Sequence, residues 1–315
     1  MMKAKTTATN TKVSAFKPDV IRDFTVAEDD PRELMQFLAA KLPDIKRTGL
    51  KQMLAHRQVK AGQSVVSQFN LPLEPGDTVS VNLTREFQEF QHRRLRLVYE
   101  DEHIIVVHKG YGLLSMAGDG PQQQITAYSI LREYLKKKNP ANKIFIVHRL
   151  DRDTSGLMLF AKTAEAKEAL QYNWNNMVLE RKYVCVVEGT PDPAEGTVRS
   201  YLLENSRHEV YSTDNPDSGG QLAVTRYRTL GTNRGLSLVE CQLDTGRKNQ
   251  IRVHMKQLST PISGDRRYGG HPSAIHRMAL HALTLRFVHP VTRKDMHFTS
   301  ALPSSFTRLI GRQFK

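Results

Sequence analysis

Apolar positions along the chain keep two different periods. Between residues 25 and 83 they first recur at helical spacing. Asp30-Pro31 opens a segment with Leu34, Phe37, Leu38 and Leu42 on one face, and residues 48–57 bring Leu50, Met53 and Leu54 together, so two short helices are expected. Val59-Lys60, a turn at Ala61-Gly62-Gln63, and Val65-Val66 follow; the Pro75-Gly76-Asp77 turn then leads into alternating Val79 and Val81, which predicts strands. Beyond residue 97 short apolar runs take over. Residues 97–109 read as two strands around an acidic turn that closes at Gly110-Tyr111-Gly112, and 121–139 as a helix whose C-terminal Lys136, Lys137 and Lys138 suit its dipole. Residues 144–147, 157–161 and 180–189 read as further strands.

Residues 1–22 carry neither period and no acid before Asp19, and are expected to form a disordered basic tail. A mitochondrial presequence would be Arg-rich, and no Arg precedes Arg22. Residues 84–96, with Arg93, Arg94 and Arg96, read as a charged linker. The expected organisation is a tail at 1–22, a small domain at 23–84, a linker at 85–96 and a large domain at 97–315.

Composition narrows the class of partner. The 315 residues include 46 Lys and Arg against 32 Asp and Glu, a formal charge of +14, which favours a polyanion such as nucleic acid, with an anionic membrane surface as the competing reading. No apolar run is long enough for a membrane span, and the N-terminus lacks the apolar core of a secretory signal, so a cytoplasmic protein is expected. Cys185 and Cys241 both lie in strand-like runs and are expected to be free buried thiols of a reducing compartment. In the small domain Lys46, Arg47, Lys51, Arg57 and Lys60 line the second helix and its exit, a layout suited to phosphate contacts, although a solvated helix face is the plain alternative.

The stretch with the densest candidate chemistry is residues 148–156. Asp151 lies between Arg149 and Arg152 on a loop joining two apolar strands, and a carboxylate so flanked is biased toward its ionised form, able to act as nucleophile, general base or metal ligand. A solvated turn with incidental ion pairs is the plain alternative. Thr154, Ser155 and Gly156 read as the turn that presents Asp151. Two later features bear on it. Tyr183 precedes a wholly apolar run, so its phenol is expected to enter the core in need of a polar partner. In a helix, Lys248, Arg252 and Met255 would share one side. A hydrolase built on Ser155 and His148 lacks a Gly-x-Ser-x-Gly elbow, and Asp151, Asp153 and His148 match no common zinc or calcium spacing, so no metal is expected.

The stretches "RQVKAGQSV" (57–65) and "LPLEPGDTVSVN" (71–82), after a helix and a basic helix, resemble the S4 RNA-binding domain, with Ala61 where that family often has Asn. "HRLDRDTSG" (148–156), "KYVCVVEG" (182–189) and "LDTGRKNQIRVHMKQLSTPISGDRRYG" (243–269) together resemble the signature motifs of RluA-type pseudouridine synthases. "VYEDEHIIVVHKGYGLLS" (98–115) and "MALHALTLRFVHPVT" (278–292) look like that family's opening strand pair and closing strand. Two departures stand out: Gly110-Tyr111 where the family usually has Pro-Ala, and Lys248-Asn249 where it usually has Thr-His or Ser-His.

The resemblance implies an α+β fold, with a mixed, largely antiparallel sheet as catalytic core and a small S4-like α/β domain. It implies an RNA uridine isomerase that needs no cofactor. Asp151 would be the nucleophile, Arg252 its ion-pair partner, and Tyr183 a phenol near the uracil. Arg149 would fill the gap left by a flipped nucleotide, while Arg247 and the basic helix bind phosphates. The implied partner is structured RNA, ribosomal RNA of the large subunit first and transfer RNA as the alternative, bound by a monomer. A non-catalytic RNA-binding protein would explain the charge but not the recurrence of Asp151, Tyr183 and Arg252 at the family's spacings.

Overall fold

The computed structural model describes residues 19–62, 64–87, 90–118 and 124–311. The elements of the first part are β1 (Ile21–Thr25), α1 (Leu34–Lys41), α2 (Arg47–Ala55), β2 (Val59–Ala61), β3 (Ser64–Val65) and β4 (Thr78–Asn82). Then follow β5 (Leu95–Glu100), β6 (Ile104–Lys109), α3 (Ala127–Lys138), β7 (Phe145–Ile146), β8 (Ser155–Ala161), α4 (Ala164–Tyr172), α5 (Trp174–Met177) and β9 (Val178–Glu188). The chain ends with β10 (Glu195–Glu204), β11 (Val210–Thr213), β12 (Gln221–Asn233), β13 (Leu236–Leu243), α6 (Gln250–Gln257), β14 (Leu280–Val288), β15 (Asp295–Thr299) and α7 (Ser304–Ile310). The described residues up to 87, with 134–142, form one compact unit, and the remainder forms a second.

In the first unit a four-stranded sheet, ordered β1-β4-β2-β3, shares a core with the two helices. Leu34, Phe37, Leu38, Leu50 and Leu54 are buried there as their helical spacing requires. The expected tail is shorter than 22 residues, because Ile21 and Arg22 already pair with Asn82 and Val81 of β4. What draws this segment in is Phe24, whose ring meets Phe37 edge-on at 6.4 Å. Residues 1–18 of that tail lie outside the described residues.

The second unit is built on an eleven-stranded mixed sheet, whose main path runs β11-β10-β12-β13-β9-β14-β8-β6-β5. The pairing of β14 with β8 is parallel and the others are antiparallel, in keeping with the expected fold class. The linker ends two residues early, since Leu95, buried at 2% exposure, starts β5. All seven residues of β8 are buried, which explains a continuous apolar run rather than an alternating one. Met158, Leu159 and Phe160 each contribute about 1.5–3 kcal/mol by leaving water.

Ser155 and Gly156 are not a turn but the first residues of β8. Gly156 has φ +119, and a Cβ there would stand 2.1 Å from the Ala282 carbonyl oxygen, so only glycine lets β8 reach β14. Cys185 and Cys241 are buried thiols on the neighbouring strands β9 and β13, with sulfurs 3.9 Å apart. Among the described residues no helix is long and apolar enough to cross a membrane.

Candidate active site

Asp151 sits on the loop between β7 and β8, and the loop is pinned on both sides of it. One residue before, the Leu150 N–H donates to Ser115 Oγ at 3.1 Å and Ser115 Oγ donates to the Leu150 carbonyl at 2.6 Å. One residue after, the Arg152 carbonyl accepts from Lys109 Nζ at 3.0 Å and from the Gly112 N–H at 2.9 Å. His148 adds a third anchor, its Nε2 accepting from the Leu159 N–H at 2.8 Å. A loop with its backbone polar groups satisfied in this way holds its side chains in a fixed direction.

Lys109 ends β6 with no exposure, and its ammonium also donates to the carbonyls of Leu113 and Gly110 at 2.7 and 3.2 Å. Burial pushes its pKa from the ordinary 10.5 down to about 7, against the opposing pull of Asp151 and Asp153 and with some help from Arg277. Between these values the unfolded chain binds a proton that the folded chain releases, so this group makes unfolding harder as pH rises. Melting curves of the wild type and Lys109→Met should therefore diverge in the wild type's favour between pH 7 and pH 9; parallel curves would mean that the amine titrates normally.

The arginines beside Asp151 do not enclose it. Arg152 is bound to Asp153 through two contacts of 3.1 Å, while Arg149 is exposed and lines two cavities that Tyr183 also lines. The partner of Asp151 comes from α6: Arg252 Nη1 donates to Asp151 Oδ2 at 3.3 Å. Arg252 is itself held by a stronger pair, with Nε and Nη2 donating to the two oxygens of Asp265 at 2.6 and 2.8 Å. Nη1 also donates to Asn249 Oδ1 at 2.8 Å, and the guanidinium lies 4.7 Å over the Tyr268 ring. Burial works to lower the Arg252 pKa, but Asp265 and then Asp151 outweigh it, and the net shift is upward. Arg252 is thus a fixed cation that offers one N–H to Asp151.

Asn249 turns α6 toward this site. Its φ of 55 is the left-handed conformation, so the helix begins at Gln250, and its Nδ2 donates to Tyr268 Oη at 2.9 Å. Lys248 consequently lies outside the helix, and the expected shared side of Lys248, Arg252 and Met255 does not form. Lys248 pairs with Glu204 instead, and Met255 is in the core. The Lys248-Asn249 pair thus divides into a surface ion pair and a buried support for Arg252.

Tyr183 stands on β9, half-buried, and lines the same small cavity as Asp151 and Arg252. Among the described residues its hydroxyl has no hydrogen-bond partner, so the expected partner in the core is absent and the phenol is available to a ligand. Burial pushes its pKa up, Arg181 opposes, and the Asp151 charge adds to the rise, so it is a phenol at neutral pH. Ser155 is buried and accepts from Arg277 Nη2 at 2.7 Å while contacting His281 Nδ1 at 2.8 Å. That placement removes it from any hydrolase arrangement with His148, whose Nε2 accepts from the Leu159 N–H.

The remaining candidates lie elsewhere. Arg247 follows the β13 turn, donates from Nε to the Leu222 carbonyl at 3.0 Å, and lines both cavities. In the first unit Lys46, Arg47 and Lys51 are exposed at the start and along the length of α2; Arg57 follows it with φ 57, and Lys60 lies 4.6 Å over the Phe87 ring.

Residues 103–257, which contain Asp151, Tyr183 and Arg252, match the RNA pseudouridylate synthase family. The chain is 34% identical over 295 residues to an uncharacterized RNA pseudouridine synthase, YlyB, of Bacillus subtilis, covering 91% of this chain and 96% of the relative. It is 31% identical over 300 residues to ribosomal large subunit pseudouridine synthase D of Haemophilus influenzae, covering 89% and 90%. In structure it is similar to human RNA pseudouridylate synthase domain containing 4, with a TM-score of 0.56 at 24% identity over 68% of this chain and 92% of that one. The chain belongs to the RNA pseudouridylate synthase family, and it is an enzyme of that class.

Proposed function

We propose that this protein isomerises uridine to pseudouridine in large-subunit ribosomal RNA, with Asp151 as the nucleophile. The observation that carries the reading is the fixed carboxylate: Asp151 on a pinned loop, 3.3 Å from an arginine anchored to Asp265, beside an unpartnered tyrosine hydroxyl. The reaction breaks the bond from the sugar C1′ to N1, turns the uracil, and joins C1′ to C5, whose hydrogen leaves as a proton. Asp151 attacks the sugar or the base, and either route needs the carboxylate ionised in a partly dry site. Arg252 aims that carboxylate through its Nη1 N–H at 3.3 Å. Tyr183 stacks near the uracil and relays a proton within the site. A uridine inside folded RNA must first leave its stack at a cost of roughly a few kcal/mol, and Arg149 fills the gap.

Ribosomal RNA is favoured by the several relatives named for the ribosomal large subunit, and by the cations of the small S4-like unit, Lys46, Arg47, Lys51, Arg57 and Lys60. The test is incubation with unmodified large-subunit ribosomal RNA and with unmodified transfer RNA, followed by mapping of pseudouridine in both. Modification of transfer RNA alone would overturn the target assignment. Two further outcomes are expected. Tyr183→Phe lowers kcat while changing stability by no more than about 0.5 kcal/mol, because no protein hydrogen bond is lost, as thermal melting would check. Lys46→Glu with Lys51→Glu raises KM for ribosomal RNA and flattens its salt dependence by about one unit of slope per lost phosphate contact.

A further inference from the structure

The cavity beside Asp151 is small, about 60 Å³, while a second one of about 450 Å³ is also lined by Tyr183. Arg149, Tyr183, Leu243 and Arg247 line both, so the two are neighbours with a shared wall. Ligand sites span roughly 300–1,000 Å³, so the larger cavity has room for a nucleotide of its own. The roles given above draw on its shared wall, through Arg149, Tyr183 and Arg247, and leave His148, Trp174 and Arg181 of its lining unused.

Its lining is specific. Trp174, the only tryptophan of the chain, stands half-buried in the wall, with the His148 ring at 5.1 Å and the Arg181 guanidinium at 5.8 Å. His148 Nε2 is an acceptor for the Leu159 N–H, so the neutral ring carries its proton on Nδ1, which remains free to donate. Arg149, Arg181 and Arg247 give the cavity three cations. The carboxylate in its lining, Asp244, is already held by Arg226 at 2.9 and 3.1 Å.

Arg181 is the telling residue. Among the described residues it has no carboxylate partner, and its one hydrogen bond is a long one, Nη2 to the Leu243 carbonyl at 3.4 Å. The backbone makes room for it: a Cβ on Gly246 would stand 2.5 Å from Arg181 Nη1. A half-buried guanidinium with most of its five N–H groups unmatched costs stability unless an anion arrives to meet it. Burial also pushes its pKa down, against weaker opposing pulls from Tyr183 and Asp244.

We infer that this cavity binds a second, unpaired nucleotide of the substrate RNA, adjacent to the reacting uridine, with its base stacked on Trp174 and its phosphate on Arg181. The inference rests on the reading of the chain as an RNA uridine isomerase. It makes Trp174 and Arg181 determinants of which structural contexts are modified, those with an unpaired neighbouring nucleotide, separate from the group that reacts. Stacking tolerates any base.

The single tryptophan provides a direct readout. In the full chain, Trp174 fluorescence should be quenched saturably by uridine dinucleotides, UpA and ApU, at concentrations at least tenfold below those of uridine monophosphate, and equally in Asp151→Asn. No saturable quenching, or equal affinity for the mononucleotide, would overturn the inference, the latter by placing the reacting nucleotide itself in the cavity. In the modification assay Trp174→Ala should raise KM for RNA roughly tenfold with kcat within twofold, and Trp174→Phe should restore KM to within about threefold. Thermal melting checks that both variants are folded, and a folded Trp174→Ala with unchanged KM would also overturn it. If the wild type forms no pseudouridine, the isomerase reading fails, and the dinucleotide titration still decides whether the cavity takes a second nucleotide.

Discussion

Asp151→Asn is expected to abolish pseudouridine formation and to leave RNA binding nearly intact. Loss of a nucleophile costs on the order of 10⁴–10⁶ in kcat, because the interactions that remain cannot form the covalent intermediate. Binding survives for a structural reason. The loop is held by Ser115 at Leu150 and by Lys109 and Gly112 at Arg152, contacts that do not involve the Asp151 side chain. The asparagine keeps an oxygen that can accept from Arg252 Nη1, so the site changes in reactivity and hardly in shape. Gel-shift titration beside a pseudouridine assay separates the two, and a variant that modified RNA at the normal rate would remove Asp151 from the chemistry.

Asp265→Ala is expected to damage both stability and catalysis. Asp265 is 2% exposed and meets Arg252 through two hydrogen bonds, so its removal strands a buried guanidinium and costs about 3–5 kcal/mol. Arg252 would then turn toward the remaining carboxylate or toward water, and Asp151 would lose its fixed partner. The paired variant Arg252→Met with Asp265→Leu separates the two roles: replacing a buried ion pair by apolar groups of similar volume is often close to neutral for folding. Its melting temperature should recover most of the loss while activity stays at the level of the single variant. Chemical denaturation and initial-rate measurements would read the two effects, and recovery of activity along with stability would show that the ion pair serves only the fold.

The features legible in the sequence were those with local signals. The apolar run 157–161 marked β8, the helical spacings of Leu34 to Leu54 marked α1 and α2, and Asp151, Tyr183 and Arg252 were grouped only by the resemblance of their stretches to the family's motifs. Three site features were hidden because their causes are not local. Asp265 is thirteen positions from Arg252 in a stretch rich in arginine, where nothing in the spacing distinguishes a buried anchor from a surface acid. Lys248 looked helical because periodicity carries no information about the left-handed Asn249 that delays the helix by two residues. Gly156 looked like a turn residue, yet its φ serves a close strand approach, visible only when β14 is in place.

Charge patterning misled in a similar way. Arg149 and Arg152 flank Asp151 in sequence, but successive side chains on a loop diverge, and Arg152 found Asp153 while Asp151 found an arginine on α6. The serine and glycine after Asp151 therefore contribute to the sheet that carries the loop, Thr154 closes the turn with its N–H on the Asp151 carbonyl, and the rigidity of Asp151 comes from Ser115 and Lys109, residues far away in the chain.

The central claim is that this site isomerises uridine through Asp151, and it has a direct measure. Joining C1′ to C5 must release the hydrogen of C5, so large-subunit ribosomal RNA transcribed with uridine tritiated at C5 reports each turnover as tritium in water. Release by the wild type in proportion to the pseudouridine formed is expected, and none above background by Asp151→Asn at equal RNA occupancy. Release by the variant at the wild-type rate, or pseudouridine without release, would contradict it.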